Sequence, residues 1–183
     1  MIAIVLALAA SAALVVAAFG PRWLMDPDAT GIFSFSLLSL EDCTRDSCQN
    51  AISNFELIDA INADIDRIEE ENKTRPPNKQ RPVPKRPYSV WAPAGLITFV
   101  ACLLASLGLL IAAGLALARK RPELPIMPTT IAVLGLAIGI IAGCVFVATK
   151  PGPRLMGVGW SFIVFGAGAI AGPIVDDNHL ERG

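Results

Sequence analysis

Four stretches of this 183-residue chain carry no charged side chain: Ile2 to Pro21, Tyr88 to Ala118, Leu124 to Thr149 and Leu155 to Val175. Nothing else in the sequence restricts the fold as much. Within the first stretch, Ile2 to Phe19 is a run of 18 apolar or small residues. As a helix rising 1.5 Å per residue, that run is roughly 27 Å long, close to the roughly 30 Å hydrocarbon core of a bilayer. The second stretch is long enough to span with room to tilt. A chain of this length ordinarily makes one soluble domain, but 54% apolar and 17% charged residues with a mean hydropathy of +0.57 are not a soluble balance.

The predicted fold is therefore an all-α membrane protein, a four-transmembrane-helix antiparallel bundle with a small extracytoplasmic strand-plus-helix cap in the first loop. The spans are placed at 1–20, 89–118, 125–149 and 155–175, joined by short connections at 119–124 and 150–154 and followed by a tail at 176–183. Short connections favour antiparallel neighbours. A cleaved signal peptide is the competing reading of the first span, because Val16-Ala17-Ala18 resembles a small-residue processing site. The lack of Lys or Arg before the apolar run favours a retained span.

Between the first two spans lies a polar insert that holds 9 of the 15 basic and 12 of the 16 acidic residues. Its cap, 21–72, opens with Trp23 and an alternating stretch, Ile32 to Leu37, that predicts a short half-buried strand with Phe33, Phe35 and Leu37 on one side. Ser53 and Glu56 have capping-box spacing, with Ile52 and Leu57 placed for a hydrophobic staple. Ile58, Ile61, Ile65 and Ile68 then recur at helical spacing opposite Asp59, Asp64, Asp66, Arg67, Glu69 and Glu70, which predicts an amphipathic helix over about 53–72. The isoleucine stripe either packs the cap or forms a partner contact. The linker, 73–88, has five prolines in the 13 residues from Arg75 to Pro87 and a tight block of basic residues. It is expected to be an extended polyproline-like arm rather than packed structure. Asn72-Lys73-Thr74 is a formal glycosylation sequon.

Arg119, Lys120 and Arg121 form a short basic loop after the second span, which the positive-inside rule places in the cytoplasm. Both termini are then cytoplasmic and loop 21–88 lies outside a plasma or inner membrane. The six basic residues from Lys73 to Arg86 fall on the other side, in a loop long enough to be largely exempt from the rule. Cys43 and Cys48 bear on the same choice. A bridge across so short a loop contributes about 2 kcal/mol on the chain-entropy argument and persists only in an oxidising compartment. Zinc is a poor alternative, since two cysteines without a nearby His or second pair supply too few ligands. Cys102 and Cys144 lie within spans and read as small buried hydrophobes.

Chemistry-bearing patterns are missing from the sequence. The spans contain no ionisable group of the kind that marks pumps, coupled transporters and membrane enzymes. Their hydroxyls, Ser11, Thr98, Ser106, Thr129, Thr130 and Ser161, are expected to satisfy local carbonyls. One histidine, His179, leaves little scope for His-based catalysis, and a net charge of -1 gives no basic field for nucleic acid. Asp26-x-Asp28 and Asp64-x-Asp66 lack a complete calcium loop. No catalytic residue, cofactor or metal is expected.

Helix-packing residues are abundant instead. Gly135, Gly139 and Gly143 repeat at four-residue spacing in the third span, Gly168 and Gly172 in the fourth, Gly108, Ala112 and Ala116 in the second, and Ala9, Ala13 and Ala17 in the first. Such spacing lets helix backbones approach closely, either within the bundle or, on the glycine face of the third span, between copies. Trp91, Trp160 and Tyr88 read as interfacial anchors.

Four spans, cytoplasmic termini, a large first outer loop with Trp23 near its start, a strand and the close pair Cys43 and Cys48, and a small second outer loop resemble the claudin and peripheral-myelin-protein superfamily. The family's Gly-Leu-Trp is absent, since Leu38-Ser39-Leu40-Glu41-Asp42 precedes Cys43, and the cysteines are closer together than is usual there. The resemblance implies a disulfide between strands and a role in adhesion, sealing or as an accessory subunit. The expected function is a non-enzymatic membrane protein that lies in the lipid bilayer and contacts a protein partner or itself through the outer loop, without nucleic acid. The alternative is a channel or transporter subunit whose pore forms on oligomerisation.

Overall fold

The computed structural model describes residues 2–25, 32–43, 48–119, 124–150 and 157–177; of 32–33, 41–43, 48–51, 157–158, 160 and 170–177 it describes the backbone alone. Four apolar helices, α1 (Ile2–Ala18), α3 (Trp91–Ala118), α4 (Ile126–Ala148) and α5 (Trp160–Asp177), accompany an amphipathic helix α2 (Asn54–Thr74). Two of them, α3 with 28 residues and α4 with 23, are long and apolar enough to cross a membrane. Helix α1 has 17 residues, and α5 has 18, ending at Asp176 and Asp177.

Small side chains set how these helices meet. Helix α1 lies against both α3 and α5, α3 lies against α4, and α4 meets α5 more lightly. A Cβ at Gly135 would stand 3.2 Å from the Ala101 carbonyl oxygen, and one at Gly139 would stand 3.4 Å from the Ala101 Cβ. At Gly143 the neighbours are Phe165 and Thr98, 3.6 Å away, and Gly168 faces the Ala13 Cβ at 3.3 Å. Within the chain, the third-span glycines thus pack against α3 and Phe165; the surroundings of Gly172 lie outside the described residues. On α1 the buried stripe is Ile4, Ala7, Ala10, Ser11, Leu14, Ala17 and Ala18. Ala9, expected on the packing face, is exposed.

Large aliphatic residues point the other way. On α3 the buried positions are chiefly Ala, Gly, Ser and Thr, while Leu96, Ile97, Val100, Leu104, Leu107, Leu110 and Ile111 are each 42–53% exposed. Helix α4 repeats the pattern, with Gly135, Gly139, Ala142 and Gly143 inside and Ile131, Leu134, Ile138 and Ile141 outside. This arrangement reverses that of a water-soluble bundle, where the largest apolar residues fill the core.

Three of the six hydroxyls bond to local carbonyls as expected: Thr98 to Ala94, Thr129 to Pro125 and Thr130 to Ile126, at 2.8–2.9 Å. Two act between helices instead. The buried Ser11 and Ser106 hydroxyls pair at 2.8 Å and join α1 to α3.

At one end of the bundle the chain builds an antiparallel sheet in the order β4-β3-β2-β1-β5. Its strands are β1 (Leu24–Met25), β2 (Ile32–Phe35), β3 (Ser39–Cys43), β4 (Cys48–Ser53) and β5 (Gly157–Val158). The sequence suggested one strand in the cap. Strand β2 is also shorter than the alternation implied, because the Ser36 hydroxyl accepts the amides of Leu38 and Ser39 at 3.3 and 2.9 Å and turns the chain there. The last apolar helix begins later than expected. Gly157 and Val158 pair with Met25 and Leu24, so α5 starts at Trp160 rather than near Leu155. Gly159 is required at this crossing, since a Cβ would overlap the Arg22 carbonyl. The β1–β5 pairing joins the loop after α1 to the loop after α4 at the same end of the bundle.

Candidate interaction surface

The cap is bound to the bundle through aromatic side chains that arrive from five elements or their ends. Trp23 is fully buried, and its indole N–H donates to the Ala17 carbonyl at 2.7 Å, closing the end of α1. Its ring meets Phe146 and Phe162 edge-on at 6.4 and 5.8 Å between centroids, and Phe165 at 5.4 Å. Trp91 stacks on Phe146 at 5.1 Å and takes the edge of Phe35 at 5.6 Å. Pairs of this geometry each contribute about 0.5–1.5 kcal/mol beyond the area they bury. Trp91 is thus an internal member of the junction, which corrects its reading as an interfacial anchor: with 0% exposure it does not reach a lipid surface. Tyr88 is 51% exposed, and the Trp160 side chain lies outside the described residues.

Asn54 fixes the turn that rests on α3. Completely buried at the start of α2, its side-chain amide donates to the Ser36 and Leu37 carbonyls at 3.2 and 3.0 Å. The Leu37 carbonyl lies so close to Gly95 that a Cβ there would overlap it. Sequence reasoning missed Asn54, whose position just after the capping serine carries no signal that it would be buried.

Helix α2 begins as predicted. Ser53 accepts the Glu56 amide at 3.2 Å, and the Glu56 carboxylate accepts the Ser53 amide at 3.1 Å. Hydrogen bonds from the Ser53 hydroxyl and amide hold the Glu56 carboxyl below its ordinary pKa. Ile58, Ile65 and Ile68 are buried and Ile61 is half-buried, so three of the four isoleucines pack the cap.

The linker is extended and exposed as expected, apart from a 3-10 turn at Pro77–Lys79, but it is tethered to α2 by hydrogen bonds and ion pairs that the sequence did not reveal. The Asn72 side-chain amide donates to the Arg81 carbonyl and its oxygen accepts the Arg81 amide, both at 2.8 Å. This two-point clip reproduces a strand pairing with a side chain. Farther along, Arg86 reaches Asp66 at 2.6 Å and Glu69 at 3.1 Å, while Arg75 and Arg81 approach Glu71 at 2.9 and 3.7 Å. The arm therefore runs back over the face that carries Ile65, Ile68 and Asn72. Exposed pairs of this kind each contribute about 0–1 kcal/mol, so the amide clip supplies the directional restraint. The hydrogen bond and charge of Asp66 also hold the Arg86 guanidinium above its ordinary pKa. A signal for the clip existed: Asn72 continues the isoleucine spacing with a polar residue just before the proline-rich segment.

Antiparallel register puts Cys43 directly opposite Cys48 across β3 and β4; their side chains lie outside the described residues. Asp26 and Asp28 also lie outside them. Asp64 pairs with Arg67 and Asp66 with Arg86, so these carboxylates are engaged in ion pairs on and beside α2. Among the described residues no cluster of three His, Cys, Asp or Glu side chains is placed to hold a metal ion. Comparison with family models, curated proteins and solved structures finds no match.

Proposed function

We propose that this chain is a non-enzymatic four-span membrane protein whose outer cap contacts a protein partner or a second copy of itself, in adhesion, membrane organisation or as an accessory subunit. The observation that carries the reading is the reversed distribution of side chains. Alanine and glycine line the helix contacts, and leucine and isoleucine cover the exposed faces of α3 and α4, a surface suited to lipid and unsuited to water. On this reading α1 and α5 also cross the membrane, and both sheet-forming loops lie on its outer side. The register of Cys43 and Cys48 suits the inter-strand disulfide that resemblance to the claudin and peripheral-myelin-protein superfamily implies.

Impermeant-thiol labelling in intact cells, with and without prior reduction, tests the assignment against a variant lacking Cys43 and Cys48. Labelling that appears only after reduction is the expected result. Labelling that instead requires permeabilised membranes would refute the orientation, and robust ion or solute flux through liposomes containing the purified protein would refute the non-conducting role.

A further inference from the structure

The arm between α2 and α3 is restrained along one side and open on the other. At Gln80 the backbone has φ -67° and ψ 140°, in the polyproline II region, and beyond it Pro82, Pro84 and Pro87 fix φ near the same value while holding the residues before them, Arg81, Val83 and Arg86, to extended backbone. Between Gln80 and Tyr88 it forms neither helix nor strand. Three residues per turn align Pro82, Lys85 and Tyr88 on one edge. Accordingly, the Lys85 ammonium lies 3.2 Å from the Tyr88 hydroxyl and 5.0 Å from the centre of its ring. Arg81 and Arg86 are held to α2, whereas Pro82, Val83, Pro84, Lys85 and Tyr88 are exposed.

Two further properties make this a ligand rather than a spacer. The arm is already ordered, fixed by the Asn72 clip at Arg81, by Asp66 and Glu69 at Arg86, and by buried Trp91 where α3 begins. A partner would therefore have little chain entropy to overcome. The charges are also sorted: Arg75, Arg81 and Arg86 are matched by carboxylates of α2, while Lys79 and Lys85 form no ion pair among the described residues.

We infer that residues 79–88 are a preformed docking ligand for a partner protein whose groove is lined by aromatic side chains and rimmed by carboxylates. Flat aromatic rings receive the exposed Pro82 and Pro84, as in other polyproline recognition, and the rim meets Lys79 and Lys85. The inference rests on the reading above that the cap contacts a partner, and it identifies the segment and the chemistry of that contact.

The test places a photo-reactive benzophenone side chain at Val83, and separately at exposed Phe55 on α2, in the full-length protein in membranes of cells that produce it. The Val83 probe is expected to capture a second protein at a site that mass spectrometry maps to aromatic and acidic residues. The yield should fall by roughly tenfold, equivalent to about 1.4 kcal/mol of binding, in Pro82→Ala/Pro84→Ala and in Lys79→Glu/Lys85→Glu. Adducts confined to lipid or to α2 of the same chain, adducts to a surface without aromatic and acidic residues, or a yield indifferent to these substitutions would overturn the inference. Capture from Phe55 without capture from Val83 would reject the arm and leave the cap reading in place; capture from neither would reject both.

Discussion

Alanine at Gly95 and alanine at Gly114 should have opposite effects although both glycines lie in α3. Each replacement gains about 1 kcal/mol of helix propensity. At Gly114 nothing lies within 4 Å of the added Cβ, so that gain stands. At Gly95 the Cβ overlaps the Leu37 carbonyl and lies 3.0–3.1 Å from two carbons of the Phe146 ring. Neither neighbour yields easily. Asn54 holds the Leu37 carbonyl at 3.0 Å, and Phe146 is stacked on Trp91 and met by Trp23. Overpacking against such a site costs about 1–3 kcal/mol. Gly95→Ala should therefore range from near neutral to about 2 kcal/mol destabilising, roughly 1–3 kcal/mol below Gly114→Ala. For a chain of this size the melting temperatures should differ by several degrees, at about 2–4 °C per kcal/mol. Thermal melts in a single detergent should be followed by far-UV and near-UV circular dichroism, the second reporting the packing of Trp23 and Trp91. Equal stabilisation by both substitutions, with an unchanged near-UV spectrum, would refute the proposed contact between cap and bundle.

Ser53→Ala should destabilise the cap by about 1 kcal/mol through loss of the α2 cap, read as faster amide exchange in the first turn. The lowered Glu56 pKa sets the sign of an acid effect: its contribution is present above the ordinary carboxyl value and is lost as pH falls through the lowered folded value. The stability difference between the wild-type protein and Glu56→Gln should therefore shrink as the pH is lowered from neutrality through and below the ordinary carboxyl value; a difference that grows on acidification would contradict the bond. Ser11→Ala and Ser106→Ala should each cost about 0.6 kcal/mol, and the double variant less than their sum, because they remove one shared bond. Additive losses in unfolding measurements would argue against it. Asn72→Ala should free the arm locally at a cost of about 1–3 kcal/mol for two bonds. Trypsin should then cut after Lys79 faster while the near-UV spectrum of the bundle is retained, and an unchanged cleavage rate there would exclude the clip.

What could be read directly from the residues was whatever depends on neighbours along the chain. Charge-free stretches located the four apolar helices to within a few residues except at the start of α5, and Ser53 with Glu56 located the start of α2, because helix length and capping are local properties. The strands were mostly hidden. Strands β1 and β5 have two residues each, too short for any alternation to mark them, and β5 forms only by pairing with β1 across more than a hundred residues of sequence. Trp91 was misread for a related reason: an aromatic residue at the end of an apolar run looks the same whether it meets lipid or Phe146. The arm shows the division most clearly. Its extended conformation follows from proline stereochemistry, and its opposite charge to α2 was visible as an acidic cap beside a basic arm that nearly cancel. That the two halves lie against each other depends on Asn72 and Arg81 being brought face to face. Such a juxtaposition arises when the chain reverses at Pro77–Lys79, because a hydrogen bond between distant residues has no signature until the backbone has placed its donor and acceptor within reach.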